Sequence, residues 1–206
     1  PIQTEIGYCH FIKVKEFPDY AQNLRLISCS KNEILYLFTK NNKNGQHNEA
    51  INFLKELSLY EIVKVIPEFD FAYYNVFTKA FRNDEVWTLI DKDNFNKFRK
   101  LIMRMNLLRE EKINPNPEIQ KHLERSKRVK SREKGLTLES MITSVVGFNG
   151  LSYENILDFT IYQLYATFYR IGQLKNHDIT ALYSVVSDVK VEDFSRHIDL
   201  FKDEDH

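Results

Sequence analysis

Glycine and proline are scarce in this chain, six and five among 206 residues. That argues against a β-sandwich, which depends on frequent Gly- and Pro-rich turns, and favours helices. Cysteine is scarcer still. Cys9 and Cys29 are too few for a disulfide scaffold and suit a reducing compartment, where each acts as a small hydrophobe. No apolar run approaches the ~18 residues needed to span a bilayer. No charged-then-apolar secretion signal opens the chain, so an intracellular protein without a membrane partner is expected. Charge of one sign is also missing: 29 Lys and Arg balance 29 Asp and Glu, which excludes polyanion binding by bulk charge.

The motifs that carry chemistry are missing too. There is no G-x-x-x-x-G-K-[ST], no G-x-G-x-x-G and no G-x-S-x-G. The six histidines (10, 47, 122, 177, 197 and 206) show no H-x-x-x-H spacing, and the cysteines are unpaired, so a zinc site has no support. Asp91-Lys92-Asp93 opens like a calcium loop, but Asn96 stands where glycine is needed and Ile102 where glutamate is needed. Asp84 and Glu85 read as a solvated turn. Cys29 needs a neighbouring histidine to act as a nucleophile and reads as a structural thiol. No catalytic, cofactor or metal residue is therefore assigned, and the chain is read as a non-enzyme.

What is present is helix grammar and aromatics, with fifteen Phe and eleven Tyr. Three capping-box spacings, Ser30/Glu33, Ser58/Glu61 and Thr160/Gln163, each precede an apolar run. The last leads into Ile161, Leu164, Tyr165, Phe168 and Ile171, five apolar groups on one helical face. Gly172 weakens that helix near its end, by about 1 kcal/mol against alanine, and Ile179, Leu182, Tyr183 and Val186 form a separate short helical face. Ser152 caps a short helix carrying Ile156 and Leu157. Phe69, Tyr73, Val76, Phe77, Ala80 and Phe81 define an amphipathic helix restarted by Pro67, and Phe95, Phe98, Ile102 and Met105 define another, capped by Asp91 or Asp93. Leu138 to Val146 forms a short helix closed by Gly147 and Gly150. Phe194, Ile198 and Phe201 make a last small stripe. Trp87 to Ile90 is a strand or a bend. The strand signal falls on His10 to Lys15, where polar and apolar residues partly alternate. Asn41 to Asn48 is a polar loop around Gly45.

One helix differs in kind. Asn114-Pro115-Asn116-Pro117 marks a boundary. Between Lys121 and Lys134 there are seven Lys or Arg against two Glu. Such a helix is solvated or a connector rather than core. Its cations can dock an acidic protein surface or contact phosphates, although aromatics for base stacking are missing.

The order of these segments, from FRKLIMRMNLLREEKINPNPEIQKHLERSKRVKSREKG through LTLESMITSV and LSYENILDFTIYQLYATFYRI to VEDFSRHIDLF, resembles small tail-assembly proteins or virion proteins of long-tailed bacteriophages, tail assembly chaperones in particular. The likeness covers Phe98 to Phe201. It rests on Phe159, Thr160, Tyr162, Gln163 and Leu164, followed by Tyr165, Phe168 and Arg170. It implies no catalytic residue and no cofactor. It implies a protein of the host cytoplasm or the virion that holds a long tape-measure or tail protein, or sits in the assembled particle.

The sequence thus predicts a mainly α protein: two small helical units joined by a basic helix, with a minor β element near the N-terminus. The N-terminal α(+β) unit spans 1–114, the connecting helix 115–135 and the C-terminal helical unit 136–206. Partner contacts are assigned to Arg125, Arg128, Lys130 and Arg132 on the basic helix and to the off-stripe Tyr162 and Tyr169. The expected partners are other phage structural or tail proteins. A nucleic-acid-binding regulator and a modulator of a host defence protein are the alternatives.

Overall fold

Most of the helix starts are written in side chains. Ser58 Oγ accepts from Glu61 N at 3.3 Å while Ser58 N donates to Glu61 Oε2 at 2.7 Å. Thr160 Oγ1 accepts from Gln163 N at 3.1 Å, with Thr160 N returning to Gln163 Oε1 at 2.9 Å. Each reciprocal pair satisfies donors that a helix N-terminus leaves open. A computed structural model describes residues 1–41, 48–114, 116–132, 136–198 and 200, with the backbone alone of residues 41, 117 and 128–132. The middle of the expected polar loop at 42–47, the stop at Gly135, Phe201 and the acidic residues 203–205 lie outside the described residues.

The chain is mainly helical, with one small antiparallel hairpin. Two compact units appear, Pro1–Phe11 with Pro18–Gly135, and Ile12–Phe17 with Leu136–His206. In the first, β1 (Ile2–Thr4) pairs with β2 (Gly7–Cys9) through a two-residue turn, and Gly7 takes the positive φ of 123° that closes it. The helices are α1 (Phe17–Ser28), α2 (Lys31–Asn41), α3 (Asn48–Glu56), α4 (Leu59–Val65), α5 (Pro67–Phe81), α6 (Phe95–Met105) and α7 (Pro117–Arg132). Residues 86–89 form a 3-10 turn, resolving the strand-or-bend ambiguity there. All six residues of the stripe on α5 and all four on α6 are buried. Their rings meet with Trp87: Tyr73 and Phe95 centroids lie 5.3 Å apart, Phe77 and Trp87 5.2 Å, Phe81 and Phe98 5.8 Å. Burying each such side chain contributes about 1.5–3 kcal/mol, so this aromatic layer dominates the unit. Asp91, one of the two cap candidates for α6, accepts from the amides of Asp93 and Asn94 at 2.9 Å each, an Asx turn just ahead of Asn94, the N-cap residue.

The strand expected at His10 to Lys15 is not formed; the hairpin lies earlier. Val14–Glu16 is a 3-10 turn, and Lys13 makes only an isolated antiparallel bridge to Thr160. The alternation there serves packing in the second unit. Ile12 and Val14 are buried among residues of that unit, which also comprises α8 (Leu138–Asn149), α9 (Tyr153–Leu157) and α10 (Ile161–Ser184). Val14 N donates to the Phe159 carbonyl at 2.8 Å, and the Lys13 and Lys15 ammonium groups meet Asp158 Oδ1 at 2.9 and 2.8 Å. Met141, Val145, Ile156, Ile161 and Leu164 complete the core.

Gly147, expected with Gly150 to close a helix, and Gly172, expected near a helix end, both lie inside helices. α8 runs through Gly147 and stops at Gly150, which takes φ 65° and donates to the Val146 carbonyl at 3.0 Å. α10 runs through Gly172 to Ser184 as one helix. An interior glycine costs about 1 kcal/mol against alanine, less than breaking a ladder bonded on both sides.

Hydrogen bonds from Lys15 and Lys13, with their charges, hold the Asp158 carboxyl down at about 2 against an ordinary 3.8. Because the folded value is depressed, the clasp stabilises above the ordinary value and is lost as pH falls from 3.8 towards 2. Asp158→Asn is expected to reduce acid sensitivity in that window, measured as the pH dependence of the far-UV CD melting temperature. An unchanged profile would show that the clasp contributes nothing.

Candidate functional site

The most heavily buried charged side chain among the described residues of the first unit is Arg99 on α6, 1% exposed. The helical period that turns Phe95, Phe98 and Ile102 inward carries its guanidinium inward too. Its Nε donates to the Ile27 carbonyl and to Tyr73 Oη, both at 2.9 Å, its Nη2 donates to the Cys29 carbonyl at 3.0 Å, and its Nη1 pairs with Glu110. The carbonyls belong to the end of α1 and the residue after it, so one cation satisfies acceptors that a helix C-terminus leaves open. Tyr73 Oη donates in turn to the Ile27 carbonyl at 3.3 Å. Burial pushes the Tyr73 hydroxyl well above its ordinary range, which keeps it a donor.

Beside this node Arg25 pairs with Glu33 and reaches Cys29 Sγ at 3.3 Å. Glu33 is buried, and its Oε2 has no hydrogen-bond partner. Burial raises the Cys29 thiol to about 11 and the Cys9 thiol to about 12, so neither is a poised nucleophile. Among the described residues no group of His, Cys, Asp and Glu is placed to hold a metal ion. The node joins α1, the start of α2, α5, α6 and the segment after α6. Its geometry is that of a structural clamp.

The residues assigned to partners lie on two elements. Arg125 is exposed on α7. The backbone of α7 is helical through Arg132, so positions 121, 125, 128 and 132 share a face by spacing; the side chains of Arg128, Lys130 and Arg132 lie outside the described residues. α7 is held to the first unit by buried Gln120, whose Oε1 accepts from Asn114 N at 2.9 Å, and by ion pairs of Glu124 with Lys40 at 2.6 Å and Lys127 with Glu111 at 3.3 Å. Ile119 and Leu123, one turn apart, are exposed. Tyr162 and Tyr169 belong to the second unit, two turns apart on α10. Tyr162 is half-buried, and Tyr169 is 40% exposed against Phe168 and Tyr165 at ring distances of 5.9 and 6.4 Å.

The stripe on α10 departs from expectation. Ile161 and Leu164 are buried and Tyr165, Phe168 and Ile171 half-buried, whereas Ile179, Leu182, Tyr183 and Val186, expected as a separate short helical face, are exposed. No element among the described residues covers them. Phe194, expected in a terminal stripe, is exposed in an irregular segment with its ring against His177 at 4.8 Å. The sequence reading also missed Arg99, because nothing local marks an arginine as buried; its place two turns of stripe deep, next to Phe98, was the only signal.

The caps, stripes and clamp are those of a mainly helical protein. The chain belongs to the YomV family. The model for the YomV N-terminal domain matches residues 1–115, and that for the YomV second domain matches residues 127–199. The chain is 39% identical over 208 residues to the SPbeta prophage-derived protein YomV of Bacillus subtilis (strain 168), covering all of this chain and 88% of that one. The family is thus represented in a prophage. No solved structure matches.

Arg99→Leu takes the partner from the Cys29 carbonyl and from Glu110 and leaves the Tyr73 hydroxyl and the Ile27 carbonyl with each other alone, and is expected to cost about 3–5 kcal/mol in urea unfolding; a loss under about 1 kcal/mol would show that the clamp is dispensable. Cys9 and Cys29 are expected to stay silent to a disulfide reagent at neutral pH and to react only in denaturant. Fast labelling of the native chain would contradict their burial.

Proposed function

We propose that this is a non-enzymatic phage protein that works by docking other phage proteins, in tail assembly or in the particle. The observation that carries the reading is α7, which presents Ile119 and Leu123 to solvent on one face, with Lys127 at its edge, and the exposed cations Lys121 and Arg125 on the opposite face. A solvated helix in this setting needs no apolar ridge. An apolar ridge with one cation at its edge and others on the far face suits an acidic protein surface that covers the ridge and reaches round the helix, with apolar contact supplying affinity and charge supplying register. The kinship with a prophage-derived protein and the likeness to tail assembly chaperones point to phage partners.

A basic helix also suits phosphates, and salt separates the two. Phosphate contacts release counterions, so nucleic-acid affinity falls steeply with salt. Burial of Ile119 and Leu123 against protein weakens far less. The full chain is expected to recover tail or virion proteins from cells in which the phage is producing particles, identified by mass spectrometry. Lys121→Glu with Arg125→Glu, or reversal at Arg128, Lys130 and Arg132, is expected to reduce that recovery at least ~10-fold. Undiminished recovery by both variants would overturn the docking face, and salt-sensitive filter binding of nucleic acid would favour the regulator instead.

A further inference from the structure

The chain turns back after α10 and lies along it, held by a polar ladder on the helix. Arg170, Gln173, His177 and Thr180 stand three, four and three positions apart, which puts them on one face of α10. All four are half-buried, although residues 172, 175, 176, 178 and 179 around them are exposed. The segment 192–196 is bonded to this face. His177 Nδ1 donates to the Glu192 carbonyl at 2.6 Å, and Thr180 Oγ1 accepts from Glu192 N at 3.1 Å. Arg170 Nη1 donates to the Phe194 carbonyl, and to the Arg196 carbonyl at 3.2 Å. Gln173 Oε1 accepts from the same Arg170 nitrogen at 2.8 Å and so aims the guanidinium.

Each of these bonds to the segment ends on one of its main-chain groups. The Asp193 carboxylate, by contrast, bonds within the segment: its Oδ1 accepts from Ser195 N at 2.8 Å and from Ser195 Oγ at 2.6 Å. Phe194 adds a ring contact, edge to face with His177 at 4.8 Å. Residues 182–197 are all exposed, so none of the segment's side chains is buried. A hydrogen bond made in place of one to water contributes little net stability, and ordering a residue of a tail costs a comparable amount. With no side-chain burial added, docking of the segment is close to balanced against its release.

We propose that the ladder is a binding site for a peptide main chain, and that residues 192–196 occupy it in cis as a releasable strap. The ligand it takes is a short irregular segment of another protein. It is recognised by one residue whose N–H and C=O are both free to bond, by the carbonyls two and four positions further on, and by an aromatic side chain at the first of those two positions. Thr180 accepts an N–H, which a phosphate does not supply, so a nucleic-acid backbone does not match the ladder. Binding needs the strap released, so affinity in trans is reduced by the fraction of molecules in which the strap is docked. This site does not depend on the docking role of α7.

The probe is a fluorescein-labelled peptide with the sequence of residues 188–198, DVKVEDFSRHI, titrated into the full chain and read by fluorescence anisotropy. Glu192→Pro in the full chain removes the N–H that Thr180 accepts and leaves the ladder intact. It is expected to lower the peptide's dissociation constant at least ~10-fold relative to wild type, with far-UV CD unchanged because Glu192 lies outside the helices. The same proline placed in the peptide, which cannot disturb the protein's fold, is expected to raise the dissociation constant for the opened chain at least ~10-fold, as is adding Arg170→Ala with His177→Ala to that chain. A peptide that does not bind the opened chain, that binds wild-type and opened chains alike, or that is indifferent to its own proline or to the ladder substitutions would overturn the proposal.

Discussion

The guanidinium of Arg99 is the constraint on which the first unit depends. Buried charge is tolerated only where it is paired and hydrogen-bonded, and each of the three Arg99 nitrogens has a partner, among the carbonyls of Ile27 and Cys29, the Tyr73 hydroxyl and Glu110. Those acceptors come from α1 and its exit, from α5 and from the segment after α6. The arginine therefore dictates where α1 ends, how α2 starts and how the chain leaves α6. The aromatic layer supplies most of the free energy but little direction, since rings pack in many arrangements. The guanidinium, with donors in a rigid plane, admits far fewer.

The second unit is organised differently. Its core is small and aliphatic, and it recruits Ile12 and Val14 from a segment more than a hundred residues distant. Backbone bonds to Phe159 and Ile161 and the Lys13–Asp158–Lys15 clasp fix that segment. The clasp is exposed, so it steers more than it stabilises. The long helix α10 begins against this core, framed by the Thr160–Gln163 box, and then extends beyond it.

These two designs lead to one functional theme. The reactive residue types are present but put to structural use: Cys29, Glu33 and Tyr73 are spent on the clamp, and the thiols lie far above neutrality. What the fold leaves to solvent is helix surface of two chemistries, basic with an apolar ridge on α7 and nearly uncharged on the end of α10. The chain belongs to a family represented in a prophage, and the basic surface of α7 is the one on which the proposed docking role rests.

Much of this was legible in the residues. Ser58, Thr160 and Ser152 announced their helices because a cap acts within three or four residues. The stripes on α5 and α6 were legible because helical period and burial coincide there. Gly147 and Gly172 misled because a glycine's cost is local while the ladder that absorbs it is not. The alternation at His10 to Lys15 misled because two buried aliphatic side chains look the same whether a sheet or a strap buries them. By itself, then, the sequence determined helix positions, the faces that are apolar and the lack of a recognised catalytic motif, since all of these follow from spacing along the chain. Only the tertiary structure decided that Arg99 is buried, that residues 12–17 pack with the C-terminal part and that the stripe on α10 runs out from under its cover. Burial depends on which distant segments arrive, and no local pattern encodes that.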